Sequence, residues 1–185
     1  QAHPKDYWQQ EFIIAQEIGL NCIEFILDFN NYEINPLLTK NGIDEIMVLS
    51  KKTGVDVISV CADFFMEAPL HSEDFNVSIE SKKVLKKLLI NTSNLGLNDV
   101  VLPCVDHSSL RGKSDLDRFY ENIMPSLEIA EDKKINLSLE TDLSPQLFAE
   151  LLDRFDSRRI SVNYDIGNSA ALGYDPIEEL DCYGN

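Results

Sequence analysis

Five acidic side chains stand just after apolar runs of the sequence, where a chain can assemble a site for chemistry. They are Asp28, Asp63, Asp106, Glu140 and Asp165. Carboxylates that lie close together raise one another's pKa unless a cation neutralises them. Hard divalent cations such as Mg²⁺ and Mn²⁺ take oxygen ligands of this kind. If the fold brings these acids together, they predict a divalent-metal site.

An aspartate after a strand also has a common structural role, because it caps turns and helix starts. That role is the favoured interpretation for Asp28, Asp63 and Asp106. Glu140 and Asp165 differ, since polar residues lead up to each of them on the same side of a strand-like run. These two acids are therefore the predicted metal ligands.

The elements that must position these acids alternate between helical and strand-like patterns along the whole chain. Strands are predicted at residues 22–27, 55–61, 99–103, 135–139 and 160–164. Helical patterns lie before, between and after them. Such alternation predicts a parallel sheet with right-handed crossover connections.

The two faces of the predicted strands distinguish a barrel from an open sheet. Ile135, Leu137 and Leu139 are apolar, whereas Asn136 and Ser138 between them are polar. An open parallel sheet has helices on both faces and favours apolar residues on both. One apolar and one polar face suit a barrel, whose active site lies at the C-terminal ends of the strands. No glycine-rich nucleotide-binding motif is present. The predicted fold is an α/β barrel in a single domain, residues 1–185.

Composition limits the partners of this domain. The chain has 32 acidic and 16 basic residues, a net charge of −16, and is 44% hydrophobic. This balance argues against nucleic acid, which is bound by clustered Lys and Arg. No apolar run is long enough to span a bilayer. Four cysteines without a C-x-x-C pair indicate reduced thiols in a cytoplasmic protein. Small molecules and metal cations are the expected partners.

Three short motifs, taken in order, resemble those of a known family. They are 17–25 (EIGLNCIEF), 137–140 (LSLE) and 162–168 (VNYDIGN). The chain resembles the xylose isomerase-like TIM-barrel superfamily from about Asp6 to Leu180, and especially its sugar-phosphate isomerases and epimerases of the hexulose-6-phosphate isomerase type. The resemblance implies a (β/α)8 barrel of which this chain covers strands two to six with their helices. We therefore expect the natural protein to be longer.

The resemblance also implies roles for individual residues. Glu140 and Asp165 correspond to the family's metal-binding residues on the fifth and sixth barrel strands. The implied cofactor is Mn²⁺ or Mg²⁺, with Zn²⁺ or Co²⁺ as alternatives. Glu140 would also move a proton in an isomerisation or epimerisation through an enediolate. The family's other ligands, a His and a Glu on strands seven and eight, have no counterpart here.

Substrate contacts are predicted at Asn168, Glu24 and Asp63, with a purely structural hydrogen bond as the alternative for each. Many family members have Asp-x-x-His where this chain has Asp165 and Asn168. Asn can hydrogen-bond a sugar hydroxyl but cannot exchange a proton near neutral pH.

Two other functions remain open on the same fold. An AP endonuclease-like phosphodiesterase would need several more histidine ligands for a zinc cluster. A non-catalytic sugar-binding or regulatory barrel would use the same mouth without chemistry. The substrate is expected to be a sugar or sugar phosphate, and a homo-oligomer is one alternative for the assembly. His71 and His107 are predicted to be solvated loop residues, not ligands.

Overall fold

The five apolar and β-branched runs form one parallel sheet in a computed structural model that describes residues 3–184. The strands are β1 (Cys22–Ile26), β2 (Asp56–Cys61), β3 (Asp99–Cys104), β4 (Asn136–Thr141) and β5 (Ile160–Val162). Each strand pairs with the one before it in the chain, so the spatial order is β1-β2-β3-β4-β5. This is the winding of a barrel, because a doubly wound sheet reverses its strand order.

Helices connect the strands and cover one side of the sheet. They are α1 (Trp8–Glu17), α2 (Lys40–Thr53), α3 (Phe64–Glu67), α4 (Phe75–Asn94), α5 (Lys113–Lys133), α6 (Pro145–Leu152), α7 (Ile166–Leu172) and α8 (Pro176–Tyr183). Within residues 3–184, none of them is long and apolar enough to cross a membrane.

The alternation along β4 separates the core from the barrel interior. Leu137 and Leu139 are fully buried in the hydrophobic core. Ser138 points the other way, where its hydroxyl donates to Asp99 at 2.6 Å and lies 2.9 Å from the Ser161 hydroxyl. A buried hydroxyl without such partners would be costly. The predicted polar interior, and with it the partial α/β barrel, is confirmed.

The structure moves the ends of two strands that matter for the site. β4 runs to Thr141, so Glu140 lies within the strand and opposite Pro103 of β3. β5 ends at Val162, two residues before the predicted end at Tyr164. Here the chain turns early because Asp165 is already the N-cap of α7.

The prediction of a solvated loop histidine is wrong for His71. Its exposed fraction is only 7%, and burial lowers its pKa. The reason is that α5 holds this loop against the protein, since Arg118 donates to the His71 carbonyl and Asn122 donates to the Leu70 carbonyl, both at 2.8 Å. His107 is exposed, as predicted, and lies 3.3 Å from the Glu67 carboxylate.

Candidate active site

Glu140, a predicted site residue, lies at the C-terminal end of the sheet in β4. Its carboxylate is half-buried and each of its oxygens accepts one amide hydrogen bond. The Asn163 side chain donates to Oε2 at 2.8 Å, and the Asn168 side chain donates to Oε1 at 2.9 Å. Because each oxygen has its own amide donor, the two hydrogen bonds together fix the plane of the carboxylate. The chain's own side chains therefore orient the Glu140 carboxylate.

The electrostatic surroundings of Glu140 are negative. Burial raises its pKa, and the charges of Asp165 and Asp63 raise it further, while the two asparagine amides act in the opposite direction. Within residues 3–184, no Lys, Arg or His forms an ion pair with Glu140 or Asp165. Acids placed together without a cation suit either metal binding or proton transfer.

Asp165 has both a structural role and an oxygen to spare. Its Oδ1 atom accepts hydrogen bonds from the backbone N–H groups of Gly167 at 2.6 Å and Asn168 at 3.0 Å, which caps α7. A Cβ atom at residue 167 would lie 3.0 Å from Oδ1, so glycine leaves room for the cap. The Oδ2 atom accepts no hydrogen bond from the described residues. One exposed carboxylate can therefore start a helix and still offer a ligand atom.

The donor set of Glu140 and Asp165 fits a hard divalent cation, because both residues offer carboxylate oxygens and no cationic side chain among residues 3–184 pairs with them. In the described part of the chain, no three His, Cys, Asp or Glu side chains come together as a metal-binding group. These two acids would therefore supply only part of a coordination sphere.

Glu24 and Asp63 flank a thiol deeper in the barrel interior. The Ser59 hydroxyl donates to Glu24 at 2.5 Å, and the Cys61 thiol donates to Asp63 at 3.0 Å. Burial raises the pKa of Cys61, and the charges of Asp63, Glu24 and Glu140 raise it further. A raised pKa disfavours the thiolate, which is the nucleophilic form of cysteine. The substrate contacts of Glu24 and Asp63 remain predictions.

The two remaining acids after strands lie in different surroundings. Asp28 and Asp63 line an open cavity of about 430 Å³ together with Phe29 and Met66. Asp106 sits in a left-handed turn with φ of 54°, and its side chain is exposed. The structure therefore places Asp165 and Asp63 near enough to Glu140 for their charges to act on it, and Asp28 beside Asp63.

Sequence reasoning missed two polar residues near Glu140. Asn163 could have been found, because it shares a strand face with Ser161 and Asp165. Asp142 offered no such signal. Its side chain accepts a short hydrogen bond from the Ser109 hydroxyl. Its charge also adds to the effect of burial, which raises the pKa of Cys104 to about 12.

Comparison with known proteins agrees with this architecture. A Haemophilus influenzae protein, named provisionally as an L-ribulose-5-phosphate 3-epimerase, is 24% identical over 189 residues, covering 97% of this chain and 65% of its own length. The crystal structure of D-psicose 3-epimerase from Clostridium cellulolyticum H10 superposes with a TM-score of 0.70 at 15% identity, over 89% of this chain and 60% of that one. A xylose isomerase-like TIM-barrel protein from Mycobacterium smegmatis, solved with magnesium, gives a TM-score of 0.73 at 16% identity, over 97% and 63%.

The chain thus spans less than two thirds of the length of these relatives. Residues 12–185 match the sequence profile of one family. Together with the sequential parallel sheet, this match shows that the chain belongs to the xylose isomerase-like TIM barrel family.

Proposed function

We propose that this chain carries part of the active site of a metal-dependent sugar or sugar-phosphate isomerase or epimerase. The observation that carries the proposal is the Glu140 carboxylate, half-buried at the end of β4 and held by two amide donors. Similarity to epimerases of sugars and sugar phosphates supports the same class of reaction.

Glu140 is proposed as the catalytic acid–base residue. Isomerisation and epimerisation of a ketose both begin with removal of a proton from a carbon next to the carbonyl. A carboxylate placed in a partly buried, negative site binds that proton more readily than one in water. Asn163 and Asn168 keep the two oxygens aimed, so little reorganisation is needed when the proton moves. Return of the proton to the resulting enediolate completes the reaction.

Glu140 and Asp165 are also the proposed ligands for Mn²⁺ or Mg²⁺. When bound, such a cation supplies polarisation of the substrate's carbonyl oxygen, which makes the neighbouring C–H more acidic. The resemblance places the remaining ligands, a His and a Glu, on later strands of the barrel. A magnesium-containing structural relative supports this choice of cation.

The proposed substrate is a ketose or a ketose phosphate. Among the compared proteins, one is named for a phosphorylated pentulose and one for a free hexulose. Asn168 donates one N–H of its amide to Glu140, and its second N–H and its carbonyl oxygen are able to bond a sugar hydroxyl. The four cysteines are free, in keeping with the cytoplasmic location that we propose.

Deuterium exchange tests the proposed chemistry directly. The full-length protein would be incubated in D₂O with Mn²⁺ or Mg²⁺ and L-ribulose 5-phosphate, D-psicose, D-tagatose or D-fructose. We expect proton NMR to show deuterium entering next to the carbonyl of at least one sugar. EDTA should abolish the exchange. Glu140→Gln should lower its rate by about 10²- to 10⁴-fold, since an amide cannot take the proton.

The control is Glu150→Gln, the same substitution at an exposed position of α6, which should exchange at the parent rate. If metal binds but no sugar exchanges, the proposed chemistry fails and a non-catalytic sugar-binding barrel becomes the better explanation. Exchange that persists in Glu140→Gln would refute the catalytic role of Glu140 but not the proposed reaction.

A further inference from the structure

A buried carboxylate lies behind the site, on the last helix of the described chain. The exposed fraction of Glu179 in α8 is only 2%. It accepts three hydroxyl hydrogen bonds, from Tyr164, Ser169 and Tyr183, each at 2.8 Å. No Lys, Arg or His of residues 3–184 forms an ion pair with it. A buried charge is costly, and these three donors offset that cost.

Two of these donors lie beside the residues that hold Glu140. Tyr164 follows Asn163 in the loop after β5, and Ser169 follows Asn168 in α7. Asn163 and Asn168 are the two amide donors to Glu140. One carboxylate therefore ties down both backbone segments from which the Glu140 carboxylate is held.

The third donor has no such connection. Tyr183 lies in α8 itself, one turn after Glu179, and packs against Phe148 of α6 with ring centroids 4.9 Å apart. Its hydroxyl bond stabilises the cluster without reaching the loop after β5 or α7. Tyr183 therefore supports the fold, whereas Tyr164 and Ser169 also support the segments that hold Glu140.

We propose that Glu179 is a positioning residue, which fixes the Asn163 and Asn168 amides on Glu140 through the hydroxyls of Tyr164 and Ser169. Its effect on turnover rests on the function proposed above. The positioning itself is a property of the folded chain and can be measured without substrate. Both tyrosine hydroxyls can act as donors, because a phenol is protonated near neutral pH.

The substrate-free arm of the test uses the full-length protein labelled with ¹⁵N-asparagine. The side-chain amide signals of Asn163 and Asn168 would be assigned with Asn163→Ser and Asn168→Ser. Glu179→Gln, Ser169→Ala and Tyr164→Phe should then be compared with Tyr183→Phe as the matched control. We expect the first three variants to shift the amide signals, and Tyr183→Phe to leave them in place. Thermal unfolding of all four variants records the purely structural cost.

The second arm measures turnover with the sugar found by deuterium exchange. We expect Glu179→Gln to lower kcat by about 10- to 100-fold with little change in KM, as loss of a residue that orients a ligand does. Tyr183→Phe should lower the unfolding temperature but keep the parent kcat.

Three results would overturn the positioning role. The amide signals could stay unchanged in the folded Glu179 and Ser169 variants. Tyr183→Phe could shift them as much as the other variants do. The signals could also move without any change in kcat of an active enzyme. If Glu179→Gln fails to fold, the single-bond variants Ser169→Ala and Tyr164→Phe decide the question. If the parent protein shows no exchange with any sugar, the proposed function fails, and the amide signals still test the positioning.

Discussion

The carboxylate of Glu140 is held by neutral donors and not by a cation. An arginine in the place of Asn163 or Asn168 would form an ion pair and lower the pKa of Glu140. Amides orient the same two oxygens but lower the pKa less than an arginine would. Burial, which raises the pKa of Glu140, has the larger effect. The negative charge of Glu140 is thus left available for a metal ion or a proton.

The two roles of Asp165 can be separated by a pair of substitutions. Asp165→Asn keeps an oxygen that can accept from the Gly167 and Asn168 N–H groups, so the free energy of unfolding should stay close to the parent value. Asp165→Ala removes the cap and should cost about 1 kcal/mol. Both variants lose a negative oxygen ligand, and we expect Mn²⁺ affinity to fall at least about tenfold, or 1.4 kcal/mol.

Calorimetric titration with Mn²⁺ and urea denaturation of the full-length protein would check both effects. Parent-like Mn²⁺ affinity in Asp165→Asn would remove this residue from the metal site and leave it as a helix cap only.

At the residue scale, strand alternation can predict which acids share one side of the sheet, although it cannot assign their roles. Glu140 and Asp165 both follow polar residues on one face, and the structure brings them together. Asp106 follows an equally good strand, but its backbone enters the left-handed region. No periodic pattern predicts that single dihedral angle. The buried Glu179 cluster was also missed, since its partners come from different elements.

Among the elements, the 3₁₀ turn at Pro36–Leu38 packs closely against α2 at Gly42. Gly42 of α2 faces this turn, and a Cβ atom there would lie 2.3 Å from the Pro36 Cα atom. The buried Asn35 side chain, directly before the turn, donates to the Ile26 carbonyl at the end of β1 at 3.0 Å. Contact between α2 and this turn therefore helps to fix the first strand.

We expect Gly42→Ala to destabilise the protein, by about 3 kcal/mol, because the backbone of the turn must move to admit the methyl group. The matched control is Asn41→Ala, at the exposed neighbouring position in the same helix, which should be neutral or slightly stabilising. Chemical denaturation of both variants would check this. Equal stability of the two would show that the turn adapts without cost.

The long elements could be predicted from the sequence, and the short ones could not. All five strands lie within two residues of their predicted bounds, because β-branched runs between polar turns are specific signals. The helices α3 and α7 were missed, since four and seven residues are too few for a helical period to appear. The early end of β5 was missed for the same reason, because β5 must stop where the unpredicted helix α7 begins.

Considered as a whole, the molecule is an arc of a barrel. In the described residues, β1 and β5 each pair on one side only, and the sheet does not close on itself. Open strand edges offer unpaired N–H and C=O groups to other chains. The net charge of −16 opposes such contacts through repulsion.

These two effects predict how the 185-residue polypeptide behaves alone. We expect it to associate more strongly as salt is added, because screening removes the repulsion but leaves the open edges available. Light scattering after size-exclusion chromatography, at low salt and at about 1 M NaCl, would measure this. A mass equal to one chain at both salt concentrations would contradict the expectation.

The spacing of the site along the chain sets the order in which it can be assembled during synthesis. Glu140 meets its amide partners 23 and 28 residues later in the sequence. When synthesis has reached the end of α6, the nascent chain therefore contains Glu140 but neither Asn163 nor Asn168, which orient its carboxylate. The carboxylate comes first, its two donors follow, and Glu179 arrives last of all.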